Sequence, residues 1–254
     1  MLRTILFTST LLLTSTGSNA TEQTSPLVLA ATDWCPYSCS DSPHGRGIVA
    51  DYLTEVFEQA DIALDIRFLP WSRALVAANT GIVDGLLTAV AEEAPQLLLP
   101  KTATMFYQDC FFVKASDSWY FDGEESLHNI RLAYIKDYGY NEPVNSYLLN
   151  PPQQARFFEV TGADPSLRLI RLIHAGRADA LIEEKRVASW ANARLNSSNQ
   201  QLKQAGCLEG NPIYVALNPQ KPHSTKIIKL LNEVLQRPDN LRRLEQLTQR
   251  YTQH

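Results

Sequence analysis

Residues 63–90 read ALDIRFLP (63–70), WSRALVAANTG (71–81) and IVDGLLTAV (82–90). The first piece has the pattern of a strand and stops at Pro70. The second is a short helix with Leu75 and Val76 on its apolar side, closed by Gly81. The third is mostly apolar from Val83 to Val90 and reads as another strand. A strand–helix–strand run of this length is a parallel crossover unit. In open α/β sheets, small molecules gather at the carboxyl ends of such strands. Pro70, Trp71, Ser72 and Arg73 stand at one such end, and Thr88, Ala89 and Val90 at the next.

The pattern returns 95 residues later. ARFFEV (155–160) is a strand and SLRLIRLIHA (166–175) a helix with Leu169, Ile170 and Ile173 apolar. GRADA (176–180) then leads into the strand 180–183. Gly81-x-x-Asp84-Gly85 and Gly176-x-x-Asp179-Ala180 occupy equivalent places, so two similar α/β lobes are expected rather than one large sheet. Two lobes imply a cleft between them. Asp84 and Asp179 precede their strands at the end away from that cleft, which suits a structural turn role.

The chain has 254 residues, enough for one large or two modest domains. Its formal charge is −4, with no basic stripe, which argues against a nucleic-acid partner. Residues 1–20 have the pattern of a secretory signal peptide. Arg3 supplies the positive start, 5–13 a short apolar run, and Ser18-Asn19-Ala20 the small residues before cleavage. A soluble exported protein is expected, periplasmic if the source has two membranes.

Four cysteines, Cys35, Cys39, Cys110 and Cys207, allow three pairings. Sequence proximity favours Cys35–Cys39 and leaves Cys110–Cys207; free buried thiols are the alternative. The cysteine spacing matches no zinc pattern, and the five histidines are scattered. No nucleophile elbow, metal cluster or phosphate loop is visible, so no cofactor is expected.

Along the rest of the chain, LVLAAT (27–32) is the first strand, followed by Asp33-Trp34-Cys35-Pro36-Tyr37 and a polar loop. Residues 48–60 form an amphipathic helix through Val49, Leu53, Val56 and Phe57. YQDCFFV (107–113) and IRLAYI (130–135) read as strands, with Asp137-Tyr138-Gly139-Tyr140 after the second. A helix over 185–194, a strand over 213–217 and two terminal amphipathic helices complete the order. Ser224 or Thr225 is placed to cap the first of those helices. The expected division is a leader at 1–20, a first lobe from 21–112 plus 212–254, and an inserted second lobe at 113–211. The crossings fall near Cys110 and Tyr214, where a Cys110–Cys207 bond would sit close to the hinge.

These residues resemble a known family. Strand–Asp33-Trp34-x-Pro36-Tyr37, a helix with Phe57, strand–Pro70-Trp71-x-Arg73-Ala74 and Gly81-x-x-Asp84-Gly85 together are similar to bacterial periplasmic solute-binding proteins. The nearest group is the polar-amino-acid-binding type, family 3 of the ABC-transporter substrate-binding proteins. The resemblance covers roughly 27–252. It implies the type II periplasmic-binding-protein fold, an α/β fold of two lobes joined by two hinge strands that close on one small ligand.

It also implies a set of site residues. An aromatic comes from the loop after the first strand (Trp34 or Tyr37) and a second from the region of Trp71. Hydroxyl and backbone groups come from 88–91, and backbone N–H groups from 139–141. An acid for the ligand ammonium falls at Glu184. The candidate contacts are Asp33, Trp34, Tyr37, Trp71, Arg73, Thr88, Ala89, Tyr138, Tyr140 and Glu184. One departure stands out. The arginine that clamps the ligand α-carboxylate in the family is missing from Ala91-Glu92-Glu93-Ala94-Pro95-Gln96, and such a bidentate pair is hard to replace. Either Arg73 substitutes, or the ligand is not a standard α-amino acid; Glu92 and Glu93 favour a cation.

The function implied is capture of a small polar solute, an amino acid or related amine or organic acid, by a monomer. Delivery would be to an inner-membrane ABC permease or a sensor receptor. The alternative is a periplasmic enzyme on the same scaffold, such as a cyclohexadienyl-type dehydratase using Glu184 as its acid.

Overall fold

A computed structural model describes residues 25–252 other than 137, 154 and 196–200. The expected leader at 1–20, Asp137 and most of the polar loop after 195 lie outside the described residues. The chain builds β1 (Leu27–Ala31), α1 (Ile48–Glu58), β2 (Leu64–Phe68), α2 (Trp71–Asn79), β3 (Gly85–Ala89) and the short β4 (Met105–Tyr107). It continues with β5 (Asp109–Lys114), β6 (Arg131–Ile135), α3 (Val144–Leu149), β7 (Arg156–Val160), α4 (Pro165–His174), β8 (Ala180–Glu184), α5 (Lys185–Ala193) and β9 (Leu202–Cys207). It ends with β10 (Asn211–Leu217), α6 (Ser224–Val234) and α7 (Pro238–Thr252).

Two mixed five-stranded sheets result, ordered β2-β1-β3-β10-β4 and β7-β6-β8-β5-β9. In each, three parallel strands joined by helical crossovers meet an antiparallel pair. Helices cover both faces, so β3 and β8 are buried along their whole length, as parallel strands require. The two halves repeat in detail. Asp84 accepts a hydrogen bond from the Val28 N–H (2.8 Å) and its own N–H donates to the Val28 carbonyl. Asp179 does the same with Arg131 (2.7 Å) and adds a two-pronged pair with the Arg131 guanidinium. Each aspartate thus locks the start of one parallel strand to the start of its neighbour. Gly81 (φ +73°) and Gly176 (φ +67°) end the preceding helices in left-handed geometry that glycine adopts freely.

Several local expectations are corrected. In α2 the buried face is Ala74, Ala77 and Ala78, while Val76 is 59% exposed. Small side chains let this helix sit close to the sheet; Leu75 stays partly buried against the same core, and Val76 is displaced outward. Ser224 does not cap α6: its hydroxyl donates to the Asn218 carbonyl at 2.6 Å, six residues upstream in the loop after β10. The single strand expected over 107–113 is two strands broken at Gln108. β4 pairs with β10 in the first sheet, whereas β5 pairs with β8 and β9 in the second.

The chain therefore crosses between sheets at Gln108 and returns over 208–210, so a boundary after 112 falls inside β5. Cys110 and Cys207 are opposed residues of β5 and β9 and are bonded. Their bond joins two strands of the second sheet beside the crossings, rather than strands of different lobes. Cys35 and Cys39 form the second disulfide. One helix bridges the lobes: Val187 and Trp190 of α5 pack into the hydrophobic core of the first lobe. No helix among the described residues is long and apolar enough to cross a membrane.

Candidate ligand-binding cleft

The carboxyl ends of β1, β3, β6, β7 and β8 converge on one cavity of about 1170 Å³ between the lobes. From the first lobe, the turn after β1 contributes Asp33 and Trp34. Ser40 holds the Asp33 carboxylate through its N–H (3.1 Å) and hydroxyl (2.8 Å), and the Cys35–Cys39 bond closes the same turn. Trp34 stacks on Tyr37 at 4.2 Å and meets the edge of Tyr107 at 5.8 Å. Trp71, at the start of α2, and Thr88 and Ala89, at the end of β3, complete this wall.

The second lobe contributes Tyr138 and Gly139 after β6, residues 161–167 entering α4, and Glu183 and Glu184 at the end of β8. The lobes approach closely at Gly139. A Cβ there would stand 2.8 Å from the Glu93 Oε1 of the first lobe, so any larger residue would have to push the Glu93 carboxyl aside. Burial and the neighbouring Glu92 push the Glu93 carboxyl up.

Asp33, Trp34, Trp71, Thr88, Ala89, Tyr138 and Glu184 thus come together around the cavity; Tyr37, Arg73 and Tyr140 do not line it. Tyr37 is fully buried behind Trp34, with its hydroxyl 2.9 Å from the Arg186 Nη1. Burial and the nearby Glu184 hold its phenol far above the usual range. Tyr140 is turned into the second lobe, where its hydroxyl accepts from the Ile135 N–H at 2.9 Å. Arg73 lies on the exposed side of α2, because α2 sets its alanine face against the sheet. In this arrangement it does not take the place of the missing carboxylate clamp.

Glu184 lines the cavity but is 1% exposed and caps α5. Its Oε2 accepts from the N–H groups of Arg186 (2.6 Å) and Val187 (3.0 Å), and its Oε1 from Gln108 (3.3 Å). The helix start supplies the positive potential that keeps it there. An ammonium-receptor role for this residue meets a carboxylate already occupied.

Among the lining residues missed in the sequence are Tyr107, Asp109 and Glu183. Glu183 accepts from the Ser166 hydroxyl (2.6 Å) and the Glu184 N–H (2.8 Å), and burial pushes it up to about 8. Burial and Glu184 push Asp109 up to about 7. Tyr107 is pushed up to about 12, chiefly by burial. A signal existed for each acid. Asp109 interrupts an aromatic, apolar strand, and two consecutive glutamates end a strand buried on both faces. Two cations also line the cavity, Lys136, engaged with Glu159 at 3.0 Å, and Arg194, engaged with Asp164 at 3.0 Å.

This is the type II periplasmic-binding-protein fold. The structure superposes on a histidine kinase sensor domain described as similar to periplasmic binding proteins, with TM-score 0.69 and 16% identity over 89% of this chain and 95% of that one. It also matches an ancestral arginine-binding protein bound to arginine (TM-score 0.68, 14% identity, 89% and 98% covered). A third match is an ancestral amino-acid-binding protein described as a precursor of cyclohexadienyl dehydratase (TM-score 0.66, 15% identity, 89% and 95% covered). No protein-family model matches the sequence, and neither does any curated protein. The two disulfides fit an extracytoplasmic location.

Proposed function

We propose that this is an exported binding protein that captures a small cationic solute, an amine or basic amino acid, between its lobes. It would then deliver that solute to a membrane permease or a sensor. The observation that carries this reading is the cleft's composition. Trp34, Trp71 and Tyr107 supply aromatic faces, and Asp33, Glu93, Asp109 and Glu183 supply carboxyl groups. Aromatic faces and carboxylates both attract cations. Closure of two lobes around a ligand is the general mode of periplasmic binding proteins, and the close approach of Glu93 to Gly139 supports closure here.

The test is mass spectrometry of the purified protein under native and then denaturing conditions, with a thermal-shift screen of amines, amino acids and organic acids. A released or stabilising cation supports the reading. Stabilisation by dicarboxylates alone would sink it. The enzyme reading has one observation in its favour, the buried acid Glu183, which keeps its proton near neutral pH as a general acid must. Turnover of cyclic carboxylic acids followed by absorbance decides that point.

A further inference from the structure

Asp109 is the first residue of β5, one residue beyond the crossing at Gln108. It lines the cleft and is 5% exposed. Its Oδ2 is wholly buried without a hydrogen-bond partner, and no cationic side chain among the described residues pairs with it. The other two buried acids of the cleft differ. Glu184 is held by three backbone N–H groups, and Glu183 by Ser166 and the Glu184 N–H. A buried carboxylate oxygen with no donor is costly. Only a proton or a donor brought in from outside relieves it.

We propose that Asp109 is the anchor for the cationic head of the ligand, an ammonium or guanidinium group, and that Glu184 remains the cap of α5. This rests on the reading of the cleft as a solute site and names the residue that selects the solute. The groups acting near Asp109 are Glu183 and Glu184 of β8, Tyr107 of β4, and Tyr138 and Tyr140 after β6. These are acidic or neutral; the cations at the adjoining start of α5 are already engaged, Lys185 with the Gln108 side chain (3.0 Å) and Arg186 with Glu184 (3.6 Å). Near neutral pH the empty site holds a proton on Asp109 much of the time. The arriving N–H donor takes its place, and the proton leaves to solvent. Affinity therefore rises with pH until Asp109 is fully ionised.

The experiment is titration calorimetry with agmatine and L-arginine, against L-glutamine and L-glutamate, on the wild type and Asp109→Asn. Wild-type affinity for the cations should rise about 10-fold from pH 6 to pH 8, with proton release visible as buffer-dependent heat. Asp109→Asn should lose about 10-fold or more in affinity at pH 8 and most of the pH dependence. A cation that binds both proteins equally overturns the role of Asp109 and leaves the solute-site reading standing. Binding of L-glutamate alone, or of no probe, overturns both. If the variant fails to fold, the wild-type pH series decides: flat affinity with no proton release refutes the proposal.

Discussion

Asp109 and Glu183 show what a single side chain can impose on the rest. Both carboxyls titrate higher in the folded chain than in the unfolded one, so the folded state holds extra protons between the two values. Their contribution is complete below the unfolded range and is lost as pH rises through about 7 and about 8. His174, held low by burial, acts in the opposite sense, but below its ordinary value of 6.5. The empty protein should therefore lose stability from pH 6.5 to pH 8.5, and Asp109→Asn should flatten that slope. Thermal unfolding at matched ionic strength measures both. Trp71→Ala should weaken ligand binding about 10-fold or more with little change in melting temperature, since a buried aromatic contact contributes at least about 1–2 kcal/mol. Unchanged affinity in a folded variant would remove Trp71 from the site. The residue scale was the least legible in the sequence. Position after a strand marks a side chain as near the cleft, but not which way it turns. Tyr37 and Tyr140 follow such strands and are folded back into the cores, because their hydroxyls find partners in Arg186 and Ile135.

At the scale of elements, much more was legible. The crossover at 63–90 and its echo at 155–183 appear as two equivalent units, since apolar runs bounded by proline and glycine leave few alternatives. β9 was missed because LKQAGC carries little apolar signal; tertiary pairing with β5 makes it a strand. The break at Gln108 was hidden because aromatic residues continue on both sides of it. Glu184 acts at this scale. Glu184→Ala should destabilise the protein by about 1–2 kcal/mol through the lost α5 cap, whatever the ligand. A loss confined to ammonium ligands, with stability intact, would return it to the ligand. Asp84 and Asp179 are equivalent clamps, so Asp84→Ala and Asp179→Ala should each cost about 1–3 kcal/mol. Urea unfolding of the two variants tests that equivalence.

For the whole molecule, the two disulfides should separate stability from binding. Cys110–Cys207 spans 97 residues, and chain entropy alone gives such a link about 4–5 kcal/mol. Cys35–Cys39 spans only 4 residues and gives about 2 kcal/mol on the same account, but it frames the turn that presents Trp34. Serine replacement of the first pair should lower the melting temperature most, and of the second pair should weaken ligand binding most. Calorimetry on the two variants distinguishes them.

The crossing at Gln108 has a consequence for engineering. Tyr107 and Asn211 lie opposite each other on β4 and β10, so the second lobe enters and leaves at neighbouring points. Residues 108–210 thus behave as a cassette in the tip of a β-hairpin. Excising them and joining the ends with an Asn-Gly turn would leave that hairpin in register, provided the surface vacated by Val187 and Trp190 is made polar. The halves of this molecule would then be exchangeable parts, with a graft point defined by one opposed pair of residues.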